Sequence, residues 1–367
     1  MNIKNYWKQA LAWTLCVVIG LGLLYVVRDD KKKYAERVSQ LQKQAEELAQ
    51  TDGEKIEALT DIYDKFYSQV GKQSIVCWGD SAMAGDKDKS LAISLKKVVE
   101  DNLFSSLSKS FNSVLEKGEY TTPSITVNNM GVTNEGLRHI LVRAGVNSLE
   151  LGDWIQIPTD TDPVTVRLMD EEAWNSDIKE DQIRFARQRD VSFGQVWIND
   201  IEGTLIATDD WFDSTHPRYA FVRDEEGDKS SAGSGTEVEI ESATMYIGEV
   251  PVFFFENETG RSTEGFVSDV QDLVNRYADT EDDDEEEESY DLPFVVIFTT
   301  DEGSDMDKAM GRAFGTRYIR NDEYSSAMTD RAYKKLAQQV YENLDSQGCF
   351  DSVKEKIALA IQEAEGL

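Results

Sequence analysis

The chain has 367 residues, long enough for two domains of ordinary size, and 40% hydrophobic residues with seven Trp and fifteen Phe can fill their cores. A formal charge of -32 excludes nucleic acid or an anionic membrane face as the main partner, because a phosphate-tracking surface needs clustered Lys and Arg. Three scattered cysteines, Cys16, Cys77 and Cys349, make no disulfide framework, and two histidines, His139 and His216, with no Cys-x-x-Cys pair imply neither a zinc site nor another cofactor.

After a short tail, residues 1–9, residues 10–27 are apolar except for Thr14, Gly20 and Gly22. At about 1.5 Å per residue such a helix just spans a hydrocarbon core of about 30 Å, and Trp13 and Tyr25 fall where aromatic belts sit. Arg28-Asp-Asp-Lys-Lys-Lys33 follows with no small-x-small cleavage site, so the segment reads as an uncleaved single-pass membrane anchor. Lys4 and Lys8 precede it, whereas Arg28, Lys31, Lys32, Lys33 and Arg37 follow. Counted alone, that bias keeps the main domain in the cytoplasm.

Residues 28–70 read as a helical stalk. Tyr34, Val38, Leu41, Ala45 and Leu48 step by four and three, Thr51-Asp-Gly53 interrupts, and Ile56, Leu59, Tyr63, Phe66 and Val70 resume the stepping. The pattern fits a coiled coil or a helix laid against the domain.

From 71 to 145 the texture is α/β. A buried strand over 75–78 runs into the sharp turn Gly79-Asp80-Ser81, helix follows over 91–114, then a strand over 125–130 and a helix over 134–144 closing at Gly145. Residues 146–245 read as an inserted all-β domain, with short strands at 154–157, 164–168, 195–199, 203–207, 219–222 and 236–240 and a flexible loop at 227–235. From 246 to 367 the α/β texture returns, with strands at 250–255, 293–300 and 317–319 and helices at 265–277 and 332–344. The run 281–288 is entirely Asp and Glu; it lacks EF-hand spacing and reads as a solvated loop. Five strands separated by helices predict a doubly wound parallel sheet with the β-rich segment inserted after the second strand.

The chemistry centres on Ser81. At the carboxyl end of a sheet, with the start of a helix behind it, a serine is well placed as a nucleophile, because backbone N–H groups and the helix dipole favour developing negative charge. Its own N–H and that of Gly131, at the end of the neighbouring strand, are candidate oxyanion donors, and Asn257 after the third strand is another. The plainer reading makes Ser81 a cap of the following helix and Asp80 an acceptor that stabilises the loop.

Gly79-Asp80-Ser81 with Gly85 behind it, Asn129-Met-Gly-Val132, and a strand ending near Asn257 resemble the first three blocks of the SGNH or GDSL hydrolases. Residues 329–341 are similar to the helix that follows that family's last block, and a β-rich insert between second and third strands resembles a membrane-anchored bacterial branch. The resemblance spans roughly 73–350. It implies a flavodoxin-like α/β fold, an ester hydrolase ancestry, a carbohydrate or acyl-ester ligand and a main domain outside the membrane.

The departures concern the base. The family places Asp-x-x-His before the last helix, but registering on Tyr333 puts Tyr324 and Ala327 at those positions. The family's Gly-x-Asn falls on Glu256-Asn257-Glu258, where a carboxylate repels an oxyanion. His139 belongs to a helix surface, and His216, in Ser214-Thr-His-Pro217, becomes a base only if the insert folds over the cleft. Without a base a serine enzyme loses on the order of a million-fold in kcat. Three readings follow: a degenerate hydrolase relative that binds or scaffolds at the cell envelope, an esterase using Ser81 with His216, and an interaction protein whose stalk or insert docks a protein partner.

Overall fold

The computed structural model describes residues 31–70, 74–86, 88–116, 118, 120–133, 135–170, 195–207, 219–241, 246–256, 261–278 and 292–367. The expected anchor at 10–27, the acidic run at 281–288, Asn257 and His216 lie outside them. Among the described residues no helix is long and apolar enough to cross a membrane. The chain divides into two compact units: one gathers the residues up to Gly71 with Glu100–Ser124 and Asp351–Leu367, the other Lys72–Val99 with Ile125–Phe350.

The elements in chain order are α1 (Lys31–Gln69), β1 (Ser74–Gly79), α2 (Ser81–Ala84), α3 (Leu91–Ser110), α4 (Asn112–Leu115), β2 (Thr126–Gly131), α5 (Leu137–Arg143), β3 (Leu149–Leu151), β4 (Ile155–Ile157), β5 (Val164–Val166), β6 (Leu168–Asp170), β7 (Val196–Ile198), β8 (Ile201–Ala207), β9 (Tyr219–Arg223), β10 (Ser230–Ala232), β11 (Val238–Ile240), β12 (Val250–Phe255), α6 (Thr263–Ala278), β13 (Val295–Thr299), α7 (Asp305–Phe314), β14 (Tyr318–Asn321), α8 (Asp330–Ser346) and α9 (Asp351–Glu365). Short 3-10 turns lie at Gly315–Arg317 and Ser325–Ala327.

The second unit is built on a five-stranded, all-parallel sheet in the order β14-β13-β12-β1-β2. Its inner strands, β1, β12 and β13, are apolar runs buried on both faces, as a sheet covered by helices requires. Inward side chains Trp78, Phe253, Phe255, Val296 and Phe298 meet Ile140 of α5, Phe266, Val270 and Val274 of α6, and Met306, Met310 and Phe314 of α7 in one core. The i, i+4, i+8 spacing of those α6 and α7 residues sets each helix's buried stripe. The strand order reverses between β1 and β12, and ligands of open α/β sheets bind at the carboxyl ends beside such a reversal.

Between β2 and β12 the chain is antiparallel. A sheet of order β11-β7-β8-β9-β5 and the pairs β4–β10 and β3–β6 enclose a second core of Leu151, Ile157, Val196, Ile198, Phe221 and Ala232, among others. Asn199 and Asp200, with φ of 50° and 62°, make the two-residue hairpin joining β7 to β8, and both residue types tolerate the left-handed region. The expected loop at 227–235 contains β10, and β3 is an addition to the expected strands. Each has three residues, too short for an alternation to register, and is held by its partner strand.

In the first unit α1 is one continuous helix, so the expected interruption at Thr51-Asp-Gly53 is absent. A mid-helix glycine costs about 1 kcal/mol, too little to end a helix of 39 residues. Leu59, Tyr63 and Phe66 are buried. Tyr63 packs against Phe111 and Tyr120 at 5.2 and 5.5 Å, and its hydroxyl donates to the Thr121 carbonyl at 3.0 Å. Toward α9, Lys65 pairs with Glu363 at 3.2 Å and the Lys356 ammonium donates to the Gln69 carbonyl at 2.9 Å. Burial, with Tyr67 adding to it, pushes the Tyr63 phenol up to about 12.

Candidate functional site

Where β1 ends, Asp80 leaves the strand and caps α2. Its Oδ1 accepts the Ala82 N–H at 2.8 Å, and its Oδ2 accepts the Glu256 N–H, just past β12, at 2.9 Å. The side chain is 1% exposed. One carboxylate thus ties together the carboxyl ends of the two strands at which the sheet order reverses. Ser81 is the first residue of α2 and half-buried, so the cap is Asp80 and not Ser81. Replacing Asp80 by Ala removes two charge-assisted hydrogen bonds and strands their donors. We expect Asp80→Ala to lower the unfolding free energy by about 3 kcal/mol, read from urea denaturation, with Asp80→Asn less damaging because its amide oxygen still accepts one N–H.

Gly131 ends β2 in register with Gly79. A Cβ there would lie 2.3 Å from the Ala84 nitrogen and 2.7 Å from the Met83 carbonyl carbon, so glycine is required for α2 to rest on the strand end. The Gly131 N–H donates to Asn129 Oδ1 at 3.0 Å, and Asn129 Nδ2 donates to the Ala84 carbonyl at 3.4 Å. The expected oxyanion donor is therefore engaged with a side chain two residues back.

The loop carrying Gly131 is fixed from below by a buried ion pair. Arg143 Nε donates to Glu135 Oε2 at 2.8 Å, its Nη2 donates to the Met130 carbonyl at 3.0 Å, and the guanidinium lies 5.4 Å from the centroid of the Trp78 ring. Both charged side chains are almost wholly buried.

The turn where the sequence resemblance would put an Asp-x-x-His block is held together by other residues. Glu256 accepts the N–H and hydroxyl of Ser325 at 2.6 and 2.5 Å. Asn321 adds donors to Thr299 Oγ1 at 2.9 Å and the Glu323 carbonyl at 2.5 Å. Tyr324, 57% exposed, points away from the core, and Ala327 closes the 3-10 turn by donating its N–H to the Tyr324 carbonyl at 2.9 Å. His139 lies near the start of α5, where its Nδ1 accepts the Gly136 N–H at 3.2 Å. Asn257 and His216 are outside the described residues, so the site is built here from Ser81, Gly131 and their neighbours.

On α8, Tyr333 is buried; burial first, then the carboxylates of Glu256 and Asp86, raise its phenol above the usual range. Asp86 opens a tight turn closed by reciprocal bonds with Lys89 at 2.7 and 2.9 Å, and Lys89 reaches Asp330, at the start of α8, at 3.7 Å. Among the described residues no three His, Cys, Asp or Glu side chains converge to hold a metal ion. Sequence reasoning gave Glu256 and Ser325 no part in this turn, because the contact joining them crosses 69 positions of chain. The signal within reach was local: Asn129 and Gly131 lie two residues apart at a strand end.

Compared with protein-family models, curated proteins and solved structures, the chain gives no match.

Proposed function

We propose that the chain is an SGNH-like protein that keeps the serine-bearing turn, has lost efficient hydrolysis, and binds or scaffolds at the cell envelope, membrane-anchored and with its main domain outside. On this reading the antiparallel sheets between β2 and β12 are an inserted β domain, and the crevice beside Ser81 is a ligand site descended from a hydrolase active site.

The observation that carries the reading is the use made of the carboxylates around Ser81. Both oxygens of Asp80 accept backbone N–H groups and both oxygens of Glu256 accept Ser325, so each acid is committed to holding the loops. His139, the described histidine, is committed to capping α5. A general base needs hydrogen-bond reach to the serine hydroxyl at about 2.6 to 3.2 Å, and these groups are occupied as structural acceptors. The engagement of the Gly131 N–H by Asn129 also leaves one fewer donor for a developing oxyanion.

The test is labelling of the full chain by a fluorophosphonate probe beside Ser81→Ala. The reading predicts no Ser81-dependent labelling on the timescale of active serine hydrolases. Rapid labelling that vanishes in Ser81→Ala establishes the esterase instead, and loss of that labelling in His216→Ala then identifies its base.

A further inference from the structure

The two halves of α1 differ in what covers them. Arg37 and all of residues 39–44 are exposed, Leu41 at 44%. At about 3.6 residues per turn, those consecutive positions pass right round the helix, so no side of α1 is covered over 39–44. Further along the same helix, Leu59, Tyr63 and Phe66 are buried. A helix laid against its own chain, one of the two forms that the stepping of apolar residues allows, thus describes α1 around Leu59, Tyr63 and Phe66 and not at 39–44.

Most of the stability of a protein helix comes from burying one face against a neighbour. The sequence says which kind of neighbour suits the uncovered stretch. Tyr34, Val38, Leu41, Ala45 and Leu48 step by four and three, the 3.5-residue repeat of a coiled coil, with Val38 and Ala45 at one core position and Tyr34, Leu41 and Leu48 at the other. A β-branched residue at the first and leucine at the second favour two parallel strands. The repeat covers two heptads, short for a free peptide. Here α1 runs unbroken from Lys31 to Gln69, so the costly first turn of helix is already supplied by its packed half.

Charge identifies the partner. The positions that flank the core of this repeat hold Ala35, Arg37, Gln42, Gln44 and Ala49, with no acid among them, in a chain of 70 Asp and Glu. Glu36, Glu46 and Glu47 fall on the outer positions of the repeat. Flanking charges set partner choice in coiled coils. These select no different helix and put nothing negative between two copies of this one. In a parallel pair a flanking residue meets the one five positions on, so Arg37 meets Gln42 of the second copy and not another Arg37. We propose that α1 pairs in parallel with α1 of a second copy over residues 34–48, which makes the chain a homodimer. The proposal is independent of the chemistry at Ser81.

Sedimentation equilibrium of the full chain in detergent tests it. Wild type gives twice the mass of one chain. Leu41→Asp puts a like charge from each copy into the core and weakens pairing about a hundredfold or more, while its urea unfolding transition stays in place because Leu41 is exposed within the chain. Cysteine variants locate the contact. In a Cys16→Ser background, whose remaining Cys77 and Cys349 are buried and half-buried, Leu41→Cys and Lys43→Cys are oxidised side by side with diamide. A disulfide needs Cα atoms within about 7 Å, so core position 41 links two chains at least about tenfold faster than outer position 43. A monomeric wild type, a dimer that survives Leu41→Asp, or equal linking at 41 and 43 overturns the proposal.

Discussion

Arg143→Met lowers the unfolding free energy by about 3 to 5 kcal/mol, because breaking a buried pair from one side leaves the other charge uncompensated. Glu135 would keep its carboxylate almost fully out of water with its Arg143 partner gone. The substitution also frees the Met130 carbonyl and removes a cation from the face of Trp78. Replacing both partners separates this cost from packing: Glu135→Leu with Arg143→Met removes the two charges together, and such double replacements are often neutral or stabilising. Urea denaturation of the three variants measures it. A loss below about 1 kcal/mol for Arg143→Met would mean that the pair behaves as a solvated surface bridge. The consequence reaches the site, since Arg143 holds the carbonyl of the residue before Gly131.

Gly79→Ala is the second severe change. Gly79 lies between β2 and β12, in register with Gly131 and Phe254. An added Cβ would stand 2.1 Å from the Phe254 carbonyl oxygen and 2.6 Å from the Met83 Cβ. The nearest obstacle is backbone of a central strand, which cannot rotate away as a side-chain tip can. Overpacking of a well-filled core ordinarily costs about 1 to 3 kcal/mol, occasionally more; a collision with backbone belongs to the upper tail, and we expect about 4 kcal/mol. Thermal and urea denaturation both register it. A fully stable Gly79→Ala protein would require β1 and β12 to be further apart than their pairing here.

These two positions show what the sequence made legible. The apolar runs at β1, β12 and β13 have no alternation because both faces are covered, and that signature predicts parallel strands wherever it recurs between helices. The turn Gly79-Asp80-Ser81 was likewise readable, since an apolar strand gives way there to a polar turn and a helix. The role of Asp80 was half readable: an acceptor for its own loop follows from its place at a helix start, but its bond to Glu256 joins residues 176 positions apart. The Glu256–Ser325 contact spans 69 positions. Contacts of that range follow from strand order, which local periodicity does not specify.

The helices carry the same lesson. Met306, Met310 and Phe314 give α7 a buried stripe behind a Ser304 cap, a signal present in sequence but standing in a stretch dominated by charge. In α1 the unit Thr51-Asp-Gly53 reads as a break because glycine and a turn-forming acid sit together, whereas the helix runs on through them. Tyr333 served as a register mark, and its burial became visible only with α8 laid over β13 and β14.

The most direct measurement of the central claim is hydrolysis of p-nitrophenyl acetate by the full chain beside Ser81→Ala. Removal of a triad histidine costs on the order of a million-fold, leaving roughly 10³ to 10⁴ over water from oxyanion stabilisation and binding. With Asp80 and Glu256 committed as loop acceptors and the Gly131 N–H held by Asn129, the account predicts wild-type turnover within about tenfold of Ser81→Ala. Turnover at ordinary enzyme rates, about 1 to 10³ per second, and abolished by Ser81→Ala, would contradict it.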